Sequence, residues 1–348
     1  MARSDFIRAA IPGLAFAMML AVAAKGIYFA SGAAVSPVLC AILLGAVWRN
    51  TGGVGPWAEP GLEFAGQTLL RIGIALIGLR LTLAVLADVS VTAVPIVLSC
   101  VAVALTAAIG LGCLLRVPLV MRQLLAAGTA ICGCTAIIAV APLLRARKAD
   151  IGIALTCVVL FGSMAMLGYP WLAGLLFDSP RAAGMFFGAS IHDTSQVVGA
   201  ALIYAQQFDA PDTVAIAGLT KFLRTLGLLV LVPLAAWWGA RSESAEPAAS
   251  KRGLRREVVP TFVLCFIGLV ILRTMGDSVT GVSGDWQAFL KLADATSEWL
   301  LLCGMAAVGL GVTVSHLREA GWRPILLSFA TALLTGFCAL TWCRVASS

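Results

Sequence analysis

The sequence predicts an all-α polytopic membrane protein with the inverted-repeat fold of a secondary transporter, and three observations carry that prediction. The first is composition: 60% of the 348 residues are hydrophobic and 12% are charged, where soluble chains carry about 25% charged residues. Mean hydropathy is +0.99. The second is run length. Apolar stretches near 9–29, 34–48, 64–86, 90–115, 119–144, 150–176, 181–206, 211–239, 257–275, 296–315 and 323–345 approach the roughly 20 residues a helix needs to span a bilayer. The third is a repeat: Gly73, Ala75, Gly78, Leu79, Thr82 and Leu86 recur 231 positions later as Gly304, Ala306, Gly309, Leu310, Thr313 and Leu317. Small-residue spacing that merely suits helix packing in lipid is the competing account of those identities. Arg80 is matched by Gly311, so the symmetry breaks at a charge.

This composition excludes soluble enzymes, nucleic-acid binders and disordered regulators, because too little polar surface remains to face water. The net charge of +7, from 24 Lys and Arg against 17 Asp and Glu, sits between apolar runs and is topological. Arg3 and Arg8 precede a first stretch of about 20 residues, long enough to span a bilayer and so read as a retained helix, not a signal peptide. The ten Cys show no paired spacing, and most lie singly in apolar runs as small hydrophobes.

With a cytoplasmic N-terminus and eleven crossings, 13 Lys and Arg lie inside and 6 outside. Arg145, Arg147 and Lys148 are half of the outside group. If 119–144 is a re-entrant hairpin, balanced by a second at 181–206, the ratio becomes 16 to 3. Nine full spans with two hairpins therefore stands beside eleven spans, and both place the repeated helices in opposite directions, the pattern of many secondary transporters. The chain divides into a membrane domain, 1–240, holding both broken segments (119–145 and 181–206), a cytoplasmic linker, 241–256, and C-terminal membrane helices, 257–348, carrying the repeat of 72–86.

Chemistry concentrates where polar residues interrupt two apolar stretches: Gly128-Thr129-Ala130-Ile131-Cys132-Gly133-Cys134-Thr135 and Gly188-Ala189-Ser190-Ile191-His192-Asp193-Thr194-Ser195-Gln196. Backbone leaves helical geometry at membrane depth only where protein buries it or a wet cavity lies beside it. Past each break a helix restarts with unpaired N–H groups and the positive end of its dipole, an arrangement suited to an anion. Asp193 and Gln196 have capping-box spacing, and Thr135 or Cys134 is placed to cap the other restart. The plainer alternative is that the polar residues cap one another and Gly133 permits a kink. His192 and Asp193 lie deep in a membrane stretch, where ionisable residues are functional by default. Lys221 and Arg224, three apart, share a helix face near the middle of another stretch. They suggest an anion-attracting pathway or, alternatively, an ion pair with Asp193 that holds helices together. Arg80 is a further candidate anion contact that lies close enough to a helix end to reach the interface instead. No cofactor is expected: Cys132-x-Cys134 has neither thiol-exchange nor metal-ligand spacing, and no Walker loop, HExxH or GxSxG is present.

These residues resemble the YeiH family of bacterial inner-membrane proteins, to which sulfate export has been ascribed by inference. The resemblance covers most of the chain and rests on Ile11-Pro12-Gly13-Leu14, on Leu70-Arg71-Ile72-Gly73 through Gly78-Leu79-Arg80-Leu81-Thr82, and on Ile131-Cys132-Gly133. It continues through His192-Asp193-x-x-Gln196-Val197-Val198, Lys221-x-x-Arg224 and Leu310-x-x-Thr313. It implies a multi-pass carrier related to inverted-repeat bile-acid and arsenite carriers, with sulfate or an organosulfur anion as cargo. Cys134 stands where the family has a small apolar residue, and Asp193 where Glu is common.

The expected function is a secondary transporter, an exporter of a small anion, working by alternating access. Its midplane site is built from Cys132, Gly133, Thr135, His192, Asp193, Ser195, Gln196, Lys221, Arg224 and Arg80. His192 and Asp193 couple transport to protons, with sodium as the competing ion. The alternatives are a membrane-embedded enzyme or sensor using Cys132 and His192, and a passive anion channel. The expected partners are the small anion and the bilayer of a bacterial inner membrane, with no nucleic acid; a homo-oligomer is compatible with the sequence.

Overall fold

The structure, a computed structural model, describes residues 3–31, 36–227, 261–280, 283–312 and 321–347. Among them there is no strand. The helices are α1 (Arg3–Ala30), α2 (Pro37–Thr51), α3 (Glu59–Arg80), α4 (Leu83–Leu114), α5 (Leu119–Ala130), α6 (Cys134–Val140), α7 (Lys148–Leu176), α8 (Pro180–Ser190), α9 (Thr194–Gln207), α10 (Asp212–Thr225), α11 (Thr261–Thr280), α12 (Gly284–Gly311) and α13 (Trp322–Ser347). The expected linker at 241–256 lies outside the described residues.

Among the described residues, six helices are long and apolar enough to cross a membrane: Ala9–Ala30, Glu59–Arg80, Leu83–Leu114, Lys148–Leu176, Thr261–Val279 and Trp322–Ala346. The chain is a multi-pass membrane protein. Helix α12 has the length, at 28 residues, but carries Asp285, Lys291, Asp294 and Glu298. Two boundaries differ from those that apolarity suggested. The third stretch ends at Arg80, where Leu81 turns extended (φ −111°, ψ 148°), so Leu83–Leu86 belong to the 32-residue α4. As far as Gly311, the stretch 296–315 is the end of a helix that begins at Gly284, because charges on its first three turns hide its start from a hydropathy window.

The chain forms two compact units, each discontinuous in sequence. One comprises Met1–Leu86, Ala201–Ala215 and Thr261–Val314; the other comprises Ala87–Ala200, Ile216–Pro260 and Ser315–Ser348.

The first unit contains the repeat. Helix α3 ends at Arg80 and α12 at Gly311, the same offset of 231 that separates the repeated residues. The two helices pack on each other reciprocally: a Cβ on Gly73 would meet Leu301 at 2.9 Å, and one on Gly304 would meet Leu70 at 2.9 Å. Leu70 and Leu301 are themselves repeat mates. Gly66 faces Ala307, so contacts ascend one helix as they descend the other. The repeated helices are therefore antiparallel and related by a local two-fold, as an inverted repeat requires; Thr313 and Leu317 lie outside the described residues. Ser297 Oγ ties the pair by donating to the Gly73 carbonyl at 2.9 Å. Polar side chains here are matched in pairs. Lys25 Nζ meets Glu298 at 3.0 Å and lies over the Trp299 ring.

The second unit holds both breaks, and the first broken helix packs in a core that includes Leu124, Leu125, Ile131, Ile137, Val158 and Leu327. Each half-helix is too short to cross a bilayer: α5, with 12 residues, is about 18 Å long at 1.5 Å per residue. In the first break the chain also folds back. A Cβ on Gly128 would meet Ile137 at 2.8 Å, although a continuous helix would hold residues nine apart about 13 Å apart along its axis.

Candidate functional site

The first break is made by the backbone of Ile131 to Gly133. After Ala130, Ile131 leaves helical geometry (φ −114°, ψ −94°) and Gly133 adopts φ 66°, ψ −125°. That combination is open essentially to glycine alone, so residue 133 produces a full interruption where a kink was the alternative. Gly133 is itself the N-cap of α6 and no side chain caps the restart. Cys134 and Thr135 do not fill that role because they already stand inside the first turn, and a cap must precede it.

The second break runs from Ile191, in extended geometry, through His192 to Asp193. Asp193 caps α9: its Oδ1 accepts from the Ser195 N–H at 2.9 Å and from Ser195 Oγ at 2.6 Å. The reciprocal half of the expected capping box does not form. Gln196 turns away and its Nε2 donates to the Val159 carbonyl at 3.0 Å and to Ser163 Oγ at 3.2 Å on α7. Gly162 makes room, because a Cβ there would overlap Gln196 Oε1. Val159, Gly162 and Ser163 are not among the residues that the motifs single out; the Gly-Ser pair in the middle of the 150–176 stretch is the signal that marks them.

The two breaks meet. A Cβ on Gly133 would lie 2.9 Å from Asp193 Oδ2 and 3.0 Å from its Cβ. Helix α10 closes on the same point, because α8 approaches it through Gly188, where a Cβ would come within 2.6 Å of the Ala217 carbonyl. Lys221 and Arg224 thereby reach both breaks and are fully buried. Lys221 Nζ donates to the carbonyls of Ile131 (2.9 Å), Ile191 (3.0 Å) and His192. Arg224 donates from Nε to Ala130 (2.8 Å) and from Nη1 to Ala189 (2.6 Å) and Ile191 (3.2 Å). Its Nη2 donates to the carbonyl of Thr129.

These carbonyls are the orphan acceptors that α5 and α8 leave at their C-terminal ends, where the helix dipole is negative. The pair is thus a double C-cap for two half-helices. No ion pair joins either cation to Asp193 among the described residues.

The opposite pole of the crossing is more open. Thr135 is exposed, and Cys134, Asp193, Thr194 and Ser195 are half-buried. There α6 and α9 begin, with the positive ends of their dipoles. Cys132 and His192 are buried behind them, and two buried polar atoms, His192 Nδ1 and Gln196 Oε1, have no protein partner. Nine of the ten candidate residues belong to this unit. Arg80 does not: it lies in the first unit, where Nε is 2.6 Å from Asp294 Oδ1 and Nη1 donates to the Pro211 carbonyl at 3.3 Å.

Residues 12–328 match the family described as "Conserved hypothetical protein 698". A UPF0324 membrane protein of Rhizobium meliloti (strain 1021) is 32% identical over 347 residues, covering 96% of this chain and 92% of that protein. The chain belongs to the UPF0324 membrane-protein family. Other members include the UPF0324 inner membrane protein YeiH of Salmonella typhi, 32% identical over 332 residues (92% of this chain, 89% of that protein). The UPF0324 membrane protein TauZ of Paracoccus pantotrophus is 31% identical over 327 residues (93% and 92%). The UPF0324 match extends across the repeat, both breaks and the cationic pair, and so confirms the resemblance to the YeiH family read from the motifs.

Proposed function

We propose that this UPF0324 protein is a secondary carrier, working as an exporter, for a small anion, with sulfate or an organosulfur anion as candidate cargo. The observation that carries the reading is the polarity of the crossing. The carbonyl ends of two half-helices are closed by buried Lys221 and Arg224, while the N–H ends of α6 and α9 open beside Thr135, Thr194 and Ser195. A guanidinium always carries its charge, and the three carbonyl acceptors around the Lys221 amine favour its ammonium form against the desolvation that burial imposes. Two positive charges and the single carboxylate of Asp193 leave the crossing with net positive charge for an anion to balance. Discontinuous helices whose N-termini address an anionic group at a repeat-built site are the signature of alternating-access carriers.

The antiparallel α3–α12 pair favours a carrier over an enzyme or sensor built on Cys132 and His192, since catalysis needs no inverted symmetry. In this reading His192 and Asp193 take up the proton that offsets the charge of a multivalent anion, and the N-terminus faces the cytoplasm. The test is flux in proteoliposomes with sulfate, sulfite, sulfonates and carboxylates. At least one should enter with saturable kinetics and be competed by its congeners; a panel that leaves every anion outside rejects the function.

A further inference from the structure

We infer that Lys221 is a tethered monovalent cation: its ammonium fills a carbonyl cage, built by both helix breaks, that would otherwise take a free alkali-metal ion, and the protein binds its anion without sodium. Three observations support this. First, Ile131 lies in one break and Ile191 and His192 in the other, and all three carbonyls point at the same Nζ. Unwound backbone carbonyls and half-helix C-termini are the groups that coordinate sodium in inverted-repeat carriers. Second, an ammonium has three donors and no acceptor, so the three oxygens saturate it and leave it nothing to give a substrate. Third, Lys221 is fully buried, and Arg224 beside it occupies four further carbonyl contacts at the same helix ends. A dissociable cation would therefore have to displace the ammonium or the guanidinium to reach these carbonyls. The consequence is a positive charge that stays with the protein through every state and does not vary with external sodium.

The transport arm of this inference rests on the carrier reading; the binding arm does not. The full-length protein in detergent is melted in choline, sodium, potassium, ammonium and methylammonium chlorides at equal ionic strength. The wild type should melt at one temperature in all five. Lys221→Ala, which empties the cage, should melt lower in choline and regain several degrees in at least one of the small cations, methylammonium being the closest stand-in for the lost group. A wild type whose melting temperature rises with sodium, or a Lys221→Ala protein equally unstable in all five salts, overturns the proposal. Should Lys221→Ala fail to fold, wild-type flux decides. Replacing sodium by choline on both sides should change the initial rate less than twofold, and accumulation driven by a sodium gradient at constant pH would refute the tethered-cation role. Absence of any anion flux, with the melting pattern as expected, rejects the carrier reading alone.

Discussion

Replacing Arg224 by Met removes the side chain that closes two half-helices at once, and its effect follows from the partners it leaves. The Ile191 carbonyl keeps Lys221, but those of Ala130, Ala189 and Thr129 lose the donors that Arg224 supplies. A buried acceptor left unsatisfied costs about 1–3 kcal/mol, and a cation lost from a helix C-terminus costs about 0.3–2 kcal/mol. Three acceptors and two helix ends together give roughly 3–5 kcal/mol, after the removal of a buried charge offsets part of the loss, in the range for breaking a buried charged network. At about 2–4 °C per kcal/mol for a domain of this size, the melting temperature should fall by roughly 10 °C. Arg224→Lys keeps the charge but cannot span the same carbonyls with a planar fork, and should fall between the two. The assay is thermal unfolding of detergent-purified protein followed by size-exclusion recovery. An Arg224→Met protein that melts within about 2 °C of the wild type would refute the double-cap role.

Gly133→Ala should be destabilised by about 1–3 kcal/mol and lose flux, since residue 133 sits at φ 66° with Asp193 against it. Gly110→Ala, in mid-helix with open space around it, should be neutral or slightly stabilising in the same melting assay. Asp193→Asn keeps an N-cap acceptor for Ser195 and should melt near the wild type, whereas Asp193→Ala should lose about 1 kcal/mol. If the carboxylate couples protons, the Asn variant should exchange anions but no longer accumulate them in a pH gradient, and wild-type accumulation would exclude that role. A single Cys introduced at Ala146 should react with an impermeant thiol reagent from the cytoplasmic side if 119–145 re-enters; labelling from outside alone would restore eleven crossings.

Both helix breaks were legible because a polar or glycine residue in an apolar run is expensive, and the interruptions fall at Ile131–Gly133 and Ile191–Asp193, inside the segments so marked. The inverted repeat was legible as well, and packing explains it: Gly73 and Gly304 recur because each admits the other helix's leucine. The partners of the cationic pair were not legible. Spacing shows that Lys221 and Arg224 share a face, but a backbone carbonyl has no signature in the sequence, so spacing alone points to Asp193 or an anion. Gln196 departs from its capping-box role for a related reason. Capping-box spacing is local, whereas the space beside Gly162 that draws its amide away is created by tertiary packing. The order of elements along the chain also says little about the two compact units, each of which is assembled from three separated segments.

Counterflow tests the central claim most directly. Proteoliposomes preloaded with a high concentration of an unlabelled transported anion are diluted into a trace of the labelled one, with pH and sodium equal on both sides. A carrier with one site at the crossing exposed to each side in turn predicts a transient overshoot of label above its equilibrium level, abolished in Gly133→Ala. Label that rises monotonically to equilibrium, as through a channel, or an overshoot that survives in a folded Gly133→Ala protein, would contradict the account.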